Sequence, residues 1–412
     1  MAKARRDKKG RTLRKGESYR NKQGLYTYAY TDVFGKRCFL YSKDLGELRE
    51  KEERLKKDQA DGLDVYVAGK ASLNYLFDRY MSIKTGLRET TRTNYLYNYD
   101  SYVRKDFGKR QAAGIRYSDI VLFYRSLVEE KGLSVNTVCG IHTLLHPAFE
   151  MAIRDDIIRK NPSDGAMAEI NRVYSGTTKK RRALTKEEQK AFLEALKEPK
   201  NQRWRPLFVV MLGTGLRIGE LAGLRWEDVD MEEGIISVNH AVVYYQPRDK
   251  KGKSVMKVTP PKTESGERNV PLLEVVREAL AEEKSIQEKT GIRCTEVVDG
   301  MTGFIFCNRF GNIHRASVIN RNIKRIVDDY NAKEVVSAKK EKRDPILVSH
   351  FSNHNLRHTF CARLCERETN LKVIQTIMGH SDITTTMDIY AEVSEQKKKE
   401  SFGKISDNLE IF

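Results

Sequence analysis

The sequence predicts a multidomain protein that is mainly α with small β-sheets. Its 412 residues exceed the usual size of one domain, so several separate cores are expected. Apolar residues alternate near the amino terminus, follow helical spacing in the middle and mix both patterns afterwards. The predicted parts are a small sheet-plus-helix module at 1–65, a helical bundle at 70–165, a basic linker at 166–182, a mixed α+β domain at 183–395 and a tail at 396–412.

The charge balance points to a polyanionic partner. The chain has 75 Lys and Arg against 57 Asp and Glu, which gives a net charge of +18, and its sequence pI is near 9.4. A surplus of this size suits nucleic acid, although many soluble proteins are modestly basic. The position of the charges along the chain therefore has to decide.

Cysteine usage and hydropathy predict a cytoplasmic protein. The six cysteines are scattered without a CxxC pair, which favours reduced thiols over a disulfide framework or a thiolate zinc site. No stretch reaches the roughly 18 apolar residues of a membrane span, and the basic amino terminus leads into polar sequence instead of a signal-peptide core. We expect no membrane partner.

The amino-terminal module combines a basic arm with a hairpin. Residues 1–22 contain ten Lys or Arg against two acids, which predicts an arm too repulsive to fold until an anion neutralises it. Alternating aromatic residues on both sides of a turn at 32–35 predict a hairpin, and leucines at helical spacing follow in 44–62. The candidates for DNA contact in this module are Lys8, Lys9, Arg11, Arg14, Lys15 and Tyr28.

The middle of the chain predicts a compact bundle of four or five helices. Apolar stripes at helical spacing run through 70–162, with Ser134 as an expected helix cap and Pro147 as an expected kink. The stretch 166–182 lacks periodicity and is predicted as a linker between domains. Its cationic candidates for DNA contact are Lys179, Lys180, Arg181 and Arg182.

The remainder of the chain predicts helices and strands together. Helices are expected in 207–212 and 217–224, strands in 234–245 and a hairpin in 255–272. The charged stretch 328–345 is interpreted as a surface loop or a loose helix.

The segment GTGLRIGEL, residues 213–221, places an arginine and a carboxylate at a helix start. Gly215 can end one helix in the left-handed conformation, so that Arg217 begins the next helix with Glu220 one turn away. An arginine steadied by a carboxylate is a preorganised fork for phosphate. Taken alone, such a pair is more often a solvated surface pair.

Two later segments add histidines and a tyrosine. In NHNLRHTF, His354 and Arg357 lie three apart beside an apolar row, although His358 suits a functional role equally well by spacing. In MGHSDITTTMDIY, Gly379 ends a helix, His380 follows it, and Tyr390 lies in the next helix. Taken singly, these residues are more often capping, surface or core residues.

Together the three segments resemble the tyrosine recombinases of the phage integrase family. The resemblance spans about residues 70–395, and the module before it resembles the arm-binding domain of conjugative-transposon integrases. It implies a core-binding helical bundle, a mixed α+β catalytic domain and an arm-type DNA-binding module. The ten-residue spacing from His380 to Tyr390 is one residue longer than is commonest in that family.

The resemblance also assigns roles to individual residues. Tyr390 matches the nucleophile, Lys262 the hairpin lysine that protonates the leaving oxygen, and Glu220 the supporting acid. The other catalytic positions match Arg217, His354, Arg357 and His380. Two arginines and two histidines can compensate the charge of a phosphoryl transition state, so neither a metal nor another cofactor is expected.

The function implied is site-specific cutting and rejoining of DNA through a 3′-phosphotyrosine intermediate, for insertion and excision of a mobile element. The implied partners are double-stranded DNA at core and arm-type sites, further copies of the chain in a tetrameric synapse, and an accessory excision factor. Two alternatives stay open: strand relaxation like that of a type IB topoisomerase, and a non-catalytic DNA-binding regulator that keeps the fold.

Overall fold

The computed structural model describes residues 5–21, 23–31, 37–60, 71–174, 182–247, 254–261 and 263–393. The chain divides into two compact units, residues 1–179 and 180–412. Within the described residues, no helix combines the length and the apolar character needed to cross a membrane.

The amino-terminal module is an antiparallel sheet covered on one face by a helix. The sheet order is β1 (Glu17–Arg20), β2 (Leu25–Thr31) and β3 (Arg37–Ser42), and α1 (Leu45–Ala60) follows. Tyr26 packs against Leu45 and Leu48 of α1 in a small core. The two predicted strands pair with each other and the predicted helix is present, and the first strand is additional. The predicted turn at 32–35 lies outside the described residues.

Residues 5–21 are folded, so the prediction of an unstructured basic arm is wrong for this stretch. A tight turn is closed by hydrogen bonds between Asp7 and Arg11, whose guanidinium Nε lies 2.9 Å from the Asp7 carboxylate. Glu17 is buried and accepts from Arg49 of α1 at 2.9 Å. Both acids of this stretch, Asp7 and Glu17, therefore neutralise cations that lie close to them. Residues 1–4 and 22 lie outside the described residues.

A helical bundle forms the rest of the first unit. Its helices are α2 (Leu73–Ile83), α3 (Glu89–Tyr102), α4 (Tyr117–Glu129), α5 (Val135–Arg154) and α6 (Ala166–Tyr174). Ser134 caps α5 as expected, and that helix continues through Pro147. In the core, the rings of Phe77 and Tyr99 stack with centroids 3.6 Å apart.

The first half of the predicted linker differs from expectation. Residues 166–174 form α6, which buries Ala166, Met167 and Ile170 in the bundle core. Three apolar residues at helical spacing are enough to dock a short helix onto a preformed groove, although they are too few to stand out in the sequence. The remainder of the linker up to 181 lies outside the described residues.

The other α-helices of the described residues lie in the second unit. They are α7 (Lys186–Ala195), α8 (Arg205–Thr214), α9 (Ile218–Gly223), α10 (Glu274–Thr290), α11 (Ala316–Glu341), α12 (Asn353–Arg367), α13 (Leu371–Met378) and α14 at 383–393. Helix α8 is buried from Pro206 to Thr214. The charged stretch after residue 328 continues α11 as a regular helix to Glu341.

Two small sheets lie in the same unit, and their pairing corrects one prediction. The strands are β4 (Val229–Asp230), β5 (Ile235–Val238), β6 (Ala241–Tyr245), β7 (Val255–Thr259) and β8 (Arg268–Pro271). The hairpin predicted over 255–272 is not formed, because β7 pairs with β6 and β8 pairs with β5. A 3₁₀ turn at Glu264–Gly266 connects β7 to β8.

Candidate active site

Arg217 emerges from the sharp turn between α8 and α9. Gly215 ends α8 in the left-handed region at φ 63°, and a side chain there would collide with the ring of Phe360. Arg217 then caps α9, with its Nη1 2.7 Å from the Glu220 carboxylate and its backbone N–H 2.9 Å from the other carboxylate oxygen. The predicted arginine–carboxylate pair is therefore present in the structure.

Glu220 is buried yet ionised. Burial alone would raise its pKa, but the hydrogen bonds and charge of Arg268, together with the charge of Arg217, lower that pKa to about 2. The carboxylate thus stays negative near neutral pH. It offers a fixed anchor for the two arginines.

Arg357 is a buried cation, and within the part of the chain that the structure describes its hydrogen bonds go to backbone carbonyls. Its Nη1 donates to the carbonyl oxygen of Gly215 at 2.6 Å, and its Nη2 donates to the carbonyl oxygen of Met378. Burial, followed by repulsion from Arg217, lowers the pKa of Arg357 to about 9. The guanidinium stays charged near neutral pH, and an additional anion close by would stabilise it.

The end of α13 gathers these cations at one place. The carbonyl oxygens of Ile377, Met378 and Gly379 accept from Arg268, Arg357 and Arg217, in that order. The last carbonyls of a helix lack partners inside the helix and carry partial negative charge, so cations are favourable there. His380 is the next residue in the chain.

His380 is buried and neutral. Burial is the largest cause that lowers its pKa to about 4, and the charges of Arg357, Arg217 and Arg268 act in the same direction. Its Nδ1 lies 2.9 Å from the hydroxyl of Thr386 on α14. If that hydroxyl donates, the proton of the imidazole is on Nε2 and can be donated to a ligand.

The other predicted residues of the site have different surroundings. Tyr390 is half-buried on α14 and packs against a core that includes Cys361, Ile374 and Met378. His354 is exposed in the first turn of α12, one turn before Arg357. Lys262 lies outside the described residues.

His358, the histidine that spacing left open as an alternative to His354, lies beside the tyrosine helix. Its Nε2 is 3.6 Å from the carboxylate of Glu392 on α14. The next helical turn of α14 toward its start carries Tyr390 and Ile389. His358 is therefore placed to contact the helix of the tyrosine.

Arg268 is the residue of this site that the sequence did not single out. It begins β8, its side chain is 2% exposed, and its Nη2 lies 2.9 Å from the Glu220 carboxylate. The sequence signal that could have found it is its place in the strand. Arg268 lies two residues before Val270, so both side chains point to the buried face. An inward arginine requires a buried acid, and the acid is 48 residues away in the chain.

The pKa of His380 predicts how stability depends on pH. In the folded protein the imidazole of His380 takes up a proton only near pH 4, whereas in the unfolded chain it does so near pH 6.5. The free energy of unfolding therefore falls as pH falls through that window. A His380→Asn variant keeps a hydrogen-bonding atom for Thr386 but cannot titrate. We expect its melting temperature to fall by several degrees less between neutral pH and about pH 5.

Thermal unfolding at a series of pH values checks this expectation. His314, whose pKa burial also lowers to about 4, is unchanged in both proteins and contributes equally. The exposed His354→Asn variant is the matched control and should follow the unchanged protein. Equal slopes for His380→Asn and the unchanged protein would contradict a neutral, buried His380.

The sheet of the amino-terminal module has an open face rich in aromatic residues and arginines. Successive strand residues point to opposite faces, and the register sets Thr27 opposite Tyr41 and Ala29 opposite Phe39. Phe39 and Tyr41 are 41% and 46% exposed. The guanidinium of Arg20 lies over the ring of Tyr41, and that of Arg37 lies over Phe39.

The DNA-contact residues predicted for this module are distributed unevenly. Lys8, Lys9, Arg14 and Lys15 are exposed, but the guanidinium of Arg11 donates to Asp7 and to the Tyr26 hydroxyl. Tyr28 packs against the core under α1, on the face opposite to Tyr41. Arg20, Arg37, Phe39 and Tyr41 are the candidates that the sequence alone did not select.

Of the four cations predicted in the linker, the structure describes Arg182. Its guanidinium forms two hydrogen bonds to Glu188, at 2.6 and 2.7 Å, beside the start of α7. Residues 175–181, with Lys179, Lys180 and Arg181, lie outside the described residues.

One group of potential metal ligands occurs in the helical bundle. His146, Glu150 and Asp164 each place one ligand atom within 4.8 Å of the others. The amide of Asn161 donates to Glu150 at 2.7 Å and lies 3.2 Å from Nδ1 of His146. This amide already lies between the two side chains and makes hydrogen-bond contacts to both of them. The group is therefore explained as a hydrogen-bond network.

The chain belongs to the phage integrase family, the tyrosine recombinases. The sequence model described as "Phage integrase family" matches residues 182–397, and the one described as "DNA binding domain of tn916 integrase" matches residues 1–59. The family and the predicted fold class, a small sheet module, a helical core-binding part and a mixed α+β catalytic part, are confirmed.

The relatives include two transposon proteins and a transposon integrase of solved structure. The chain is 32% identical to the transposase from transposon Tn1545 of Streptococcus agalactiae and to that from Tn916 of Enterococcus faecalis, over 96% of this chain and 95% of each relative. The Tn1549 transposon integrase, solved in complex with a circular intermediate DNA, is 28% identical with a TM-score of 0.67, over 80% of this chain and 99% of that chain.

Proposed function

We propose that this chain is the integrase of a mobile element, which cuts and rejoins DNA strands at specific sites to insert and excise that element. The observation that carries the proposal is the convergence of Arg217, Arg357 and His380 on the end of α13. Two fixed positive charges beside a neutral hydrogen-bond donor suit the non-bridging oxygens of a phosphodiester. The 32% identity to the Tn916 and Tn1545 proteins supports the same role.

In the reaction, the hydroxyl oxygen of Tyr390 attacks the phosphorus of one DNA strand, and the hydroxyl proton passes to the imidazole of His354. A bond forms between that oxygen and phosphorus, and the bond from phosphorus to the 5′ oxygen breaks, which leaves a 3′-phosphotyrosine. Lys262 gives a proton to the departing 5′ oxygen. One phosphodiester replaces another, so a 5′ hydroxyl from a different strand can reverse the step without ATP.

The arginines and histidines have separate tasks. Arg217 and Arg357 donate to the non-bridging oxygens with the N–H groups that their protein contacts leave over, since each guanidinium has five. Neutral His380 donates from Nε2, and His354, in the exposed turn before Arg357, supplies the second imidazole. Glu220 aims Arg217 through the 2.7 Å contact to its Nη1.

Strand exchange also sets the number of copies. Two duplexes contain four strands, and each cut strand is held by one tyrosine, so a complete exchange needs four protomers. We propose a tetramer on DNA, with residues 70–165 and 183–395 binding the core site, Lys179–Arg182 following the backbone between them, and 396–412 as a tail. An accessory excision factor would bias the direction.

The open face of the amino-terminal sheet is proposed to bind a second, arm-type DNA site. A two- or three-stranded sheet fits the major groove, and exposed aromatic and arginine side chains can contact base edges and phosphates. We expect a double variant, Phe39→Ala with Tyr41→Ala, to bind fragments from the element ends about tenfold or more weakly, since a good base contact contributes about 1–3 kcal/mol. Cleavage at core sites should persist.

Gel-shift titration of these fragments checks the assignment of the face. Removal of residues 1–59 should abolish the same binding, and Tyr28→Phe, on the opposite face, is the control expected to bind normally. If the double variant binds as tightly as the unchanged protein, the open face is not the arm-site surface.

A strand-exchange assay tests the proposed function as a whole. The probes are a supercoiled plasmid and a linear duplex. Each carries the element junction, where the two ends of the element meet, amplified with primers that point outward from the DNA flanking the gene. Excess EDTA is present because the mechanism uses no metal. The proposal predicts joined molecules that carry sequence from both probes. Relaxed plasmid without joined products would indicate a topoisomerase-like enzyme, and binding without cleavage would indicate a regulator.

A further inference from the structure

Arg268 ties together three separate segments of the second unit. Its Nη2 and Nη1 lie 2.9 and 3.3 Å from the two carboxylate oxygens of Glu220, and Nη1 also donates to the carbonyl oxygen of Gly266 at 3.1 Å. Its Nε donates to the carbonyl oxygen of Ile377 at 2.8 Å. The side chain of Arg268 is 2% exposed, so it is too buried to contact DNA.

The carboxylate of Glu220 is shared between two arginines. Arg268 contacts both oxygens from one side, and Arg217 contacts them with its Nη1 and its backbone N–H. A carboxylate accepts about four hydrogen bonds, so these contacts saturate it. Without Arg268, the Glu220 side chain is free to turn, and Arg217 loses the fixed direction in which it offers its donors to phosphate.

The contact to Ile377 fixes the turn that carries His380. Gly379 adopts φ 63°, and a β-carbon there would lie 2.9 Å from Nη1 of Arg268 and 3.0 Å from the carbonyl oxygen of Ser265. The guanidinium therefore packs directly against this turn. A change in its position would be transmitted to His380 and to the Met378 carbonyl that holds Arg357.

We propose that Arg268 is a positioning residue for the strand-transfer reaction, which keeps Arg217 aimed at phosphate by fixing Glu220 and keeps His380 in place by holding the end of α13. This inference rests on the proposed function. It assigns Arg268 no contact with DNA and no proton transfer.

The test compares Arg268→Gln and Arg268→Lys in single-turnover cleavage of a nicked duplex that carries the element junction. Arg268→Gln should cleave about a hundredfold more slowly, as expected for small displacements of catalytic groups, and should bind the duplex within about threefold of the unchanged protein. Arg268→Lys, which keeps the charge but not the fork, should give an intermediate rate.

The pH dependence separates positioning from a purely structural role. The charged groups that act on Glu220 are Arg268, Arg217 and Arg357. Loss of Arg268 removes the largest influence that lowers the pKa of this buried carboxyl, so its pKa rises although Arg217 still lowers it. Cleavage by Arg268→Gln should therefore fall further as pH drops from about 7 to about 5, because protonated Glu220 no longer anchors Arg217. Adding Glu220→Gln should remove this acid limb.

A matched control uses another arginine–glutamate ion pair of the same unit. Arg203 lies 2.5 Å from Glu283, a fully buried carboxylate on α10. Arg203→Gln should lower the melting temperature without creating an acid limb in cleavage.

The possible results are distinct. An unchanged rate and a flat pH profile in Arg268→Gln overturn the inference. So does a loss of folding in Arg268→Gln with full rate and a flat profile in Arg268→Lys, because the residue would then be structural only. Failure of the unchanged protein to form any adduct would instead overturn the proposed function.

Discussion

A Tyr390→Phe variant should form no covalent adduct with DNA and should cleave at least about 10⁴-fold more slowly, because it lacks the nucleophilic oxygen. The half-buried ring packs against Ile374 and Met378, and phenylalanine preserves that packing. DNA affinity and melting temperature should therefore change little. Denaturing gels of protein incubated with labelled, nicked duplex measure the adduct, and gel shifts measure the affinity.

Tyr244→Phe is the matched control for this variant. Tyr244 is an exposed tyrosine on β6 of the same unit, and it lies under the guanidinium of Arg315. Its variant should form the adduct at the normal rate. An adduct that persists in Tyr390→Phe would remove Tyr390 from the mechanism.

A Lys262→Ala variant should lose about a hundredfold to ten-thousandfold in cleavage rate, the usual contribution of a general acid. The lysine follows Pro261 and precedes the 3₁₀ turn at Glu264–Gly266, whose last carbonyl accepts from Arg268. Single-turnover cleavage of nicked duplex measures the rate. An exposed lysine without a catalytic role would lose almost nothing.

Replacing the leaving 5′ oxygen with sulfur sharpens this test. A thiol with a pKa of about 8.5 leaves as a thiolate without needing a proton, whereas an alkoxide requires one. Lys262→Ala should then approach the unchanged protein, while Arg217→Ala should stay slow because sulfur does not alter the non-bridging oxygens. Rescue of both variants, or of neither, would move the proton donor to His354 or His380.

Local patterns in the sequence were sufficient where the chemistry itself is local. Arg217 and Glu220 lie one turn apart on a helix start, and the structure joins them at 2.7 Å. The cap at Ser134, the left-handed glycines at 215 and 379, and the alternating strands β2 and β3 likewise depend on neighbours in the chain.

Tertiary contacts explain what the sequence could not supply. Arg268 gains its role from Glu220, 48 residues away, and from Ile377, 109 residues away. The basic stretch at 5–21 folds because Glu17 meets Arg49 of α1, a pairing that charge counting does not reveal. The neutral state of His380 likewise comes from burial among arginines, whereas His354 in the same predicted set is exposed.

The central claim, that Tyr390 becomes joined to a 3′ phosphate of DNA, is tested most directly by mapping the adduct. Protein trapped on a nicked junction duplex is digested with nuclease and trypsin and analysed by mass spectrometry. The proposal predicts a nucleotide-modified peptide covering residues 373–397, in which Tyr390 is the one tyrosine, with fragmentation placing a 3′-linked nucleotide on it. A nucleotide on any other residue, or one linked through its 5′ phosphate, would contradict the mechanism.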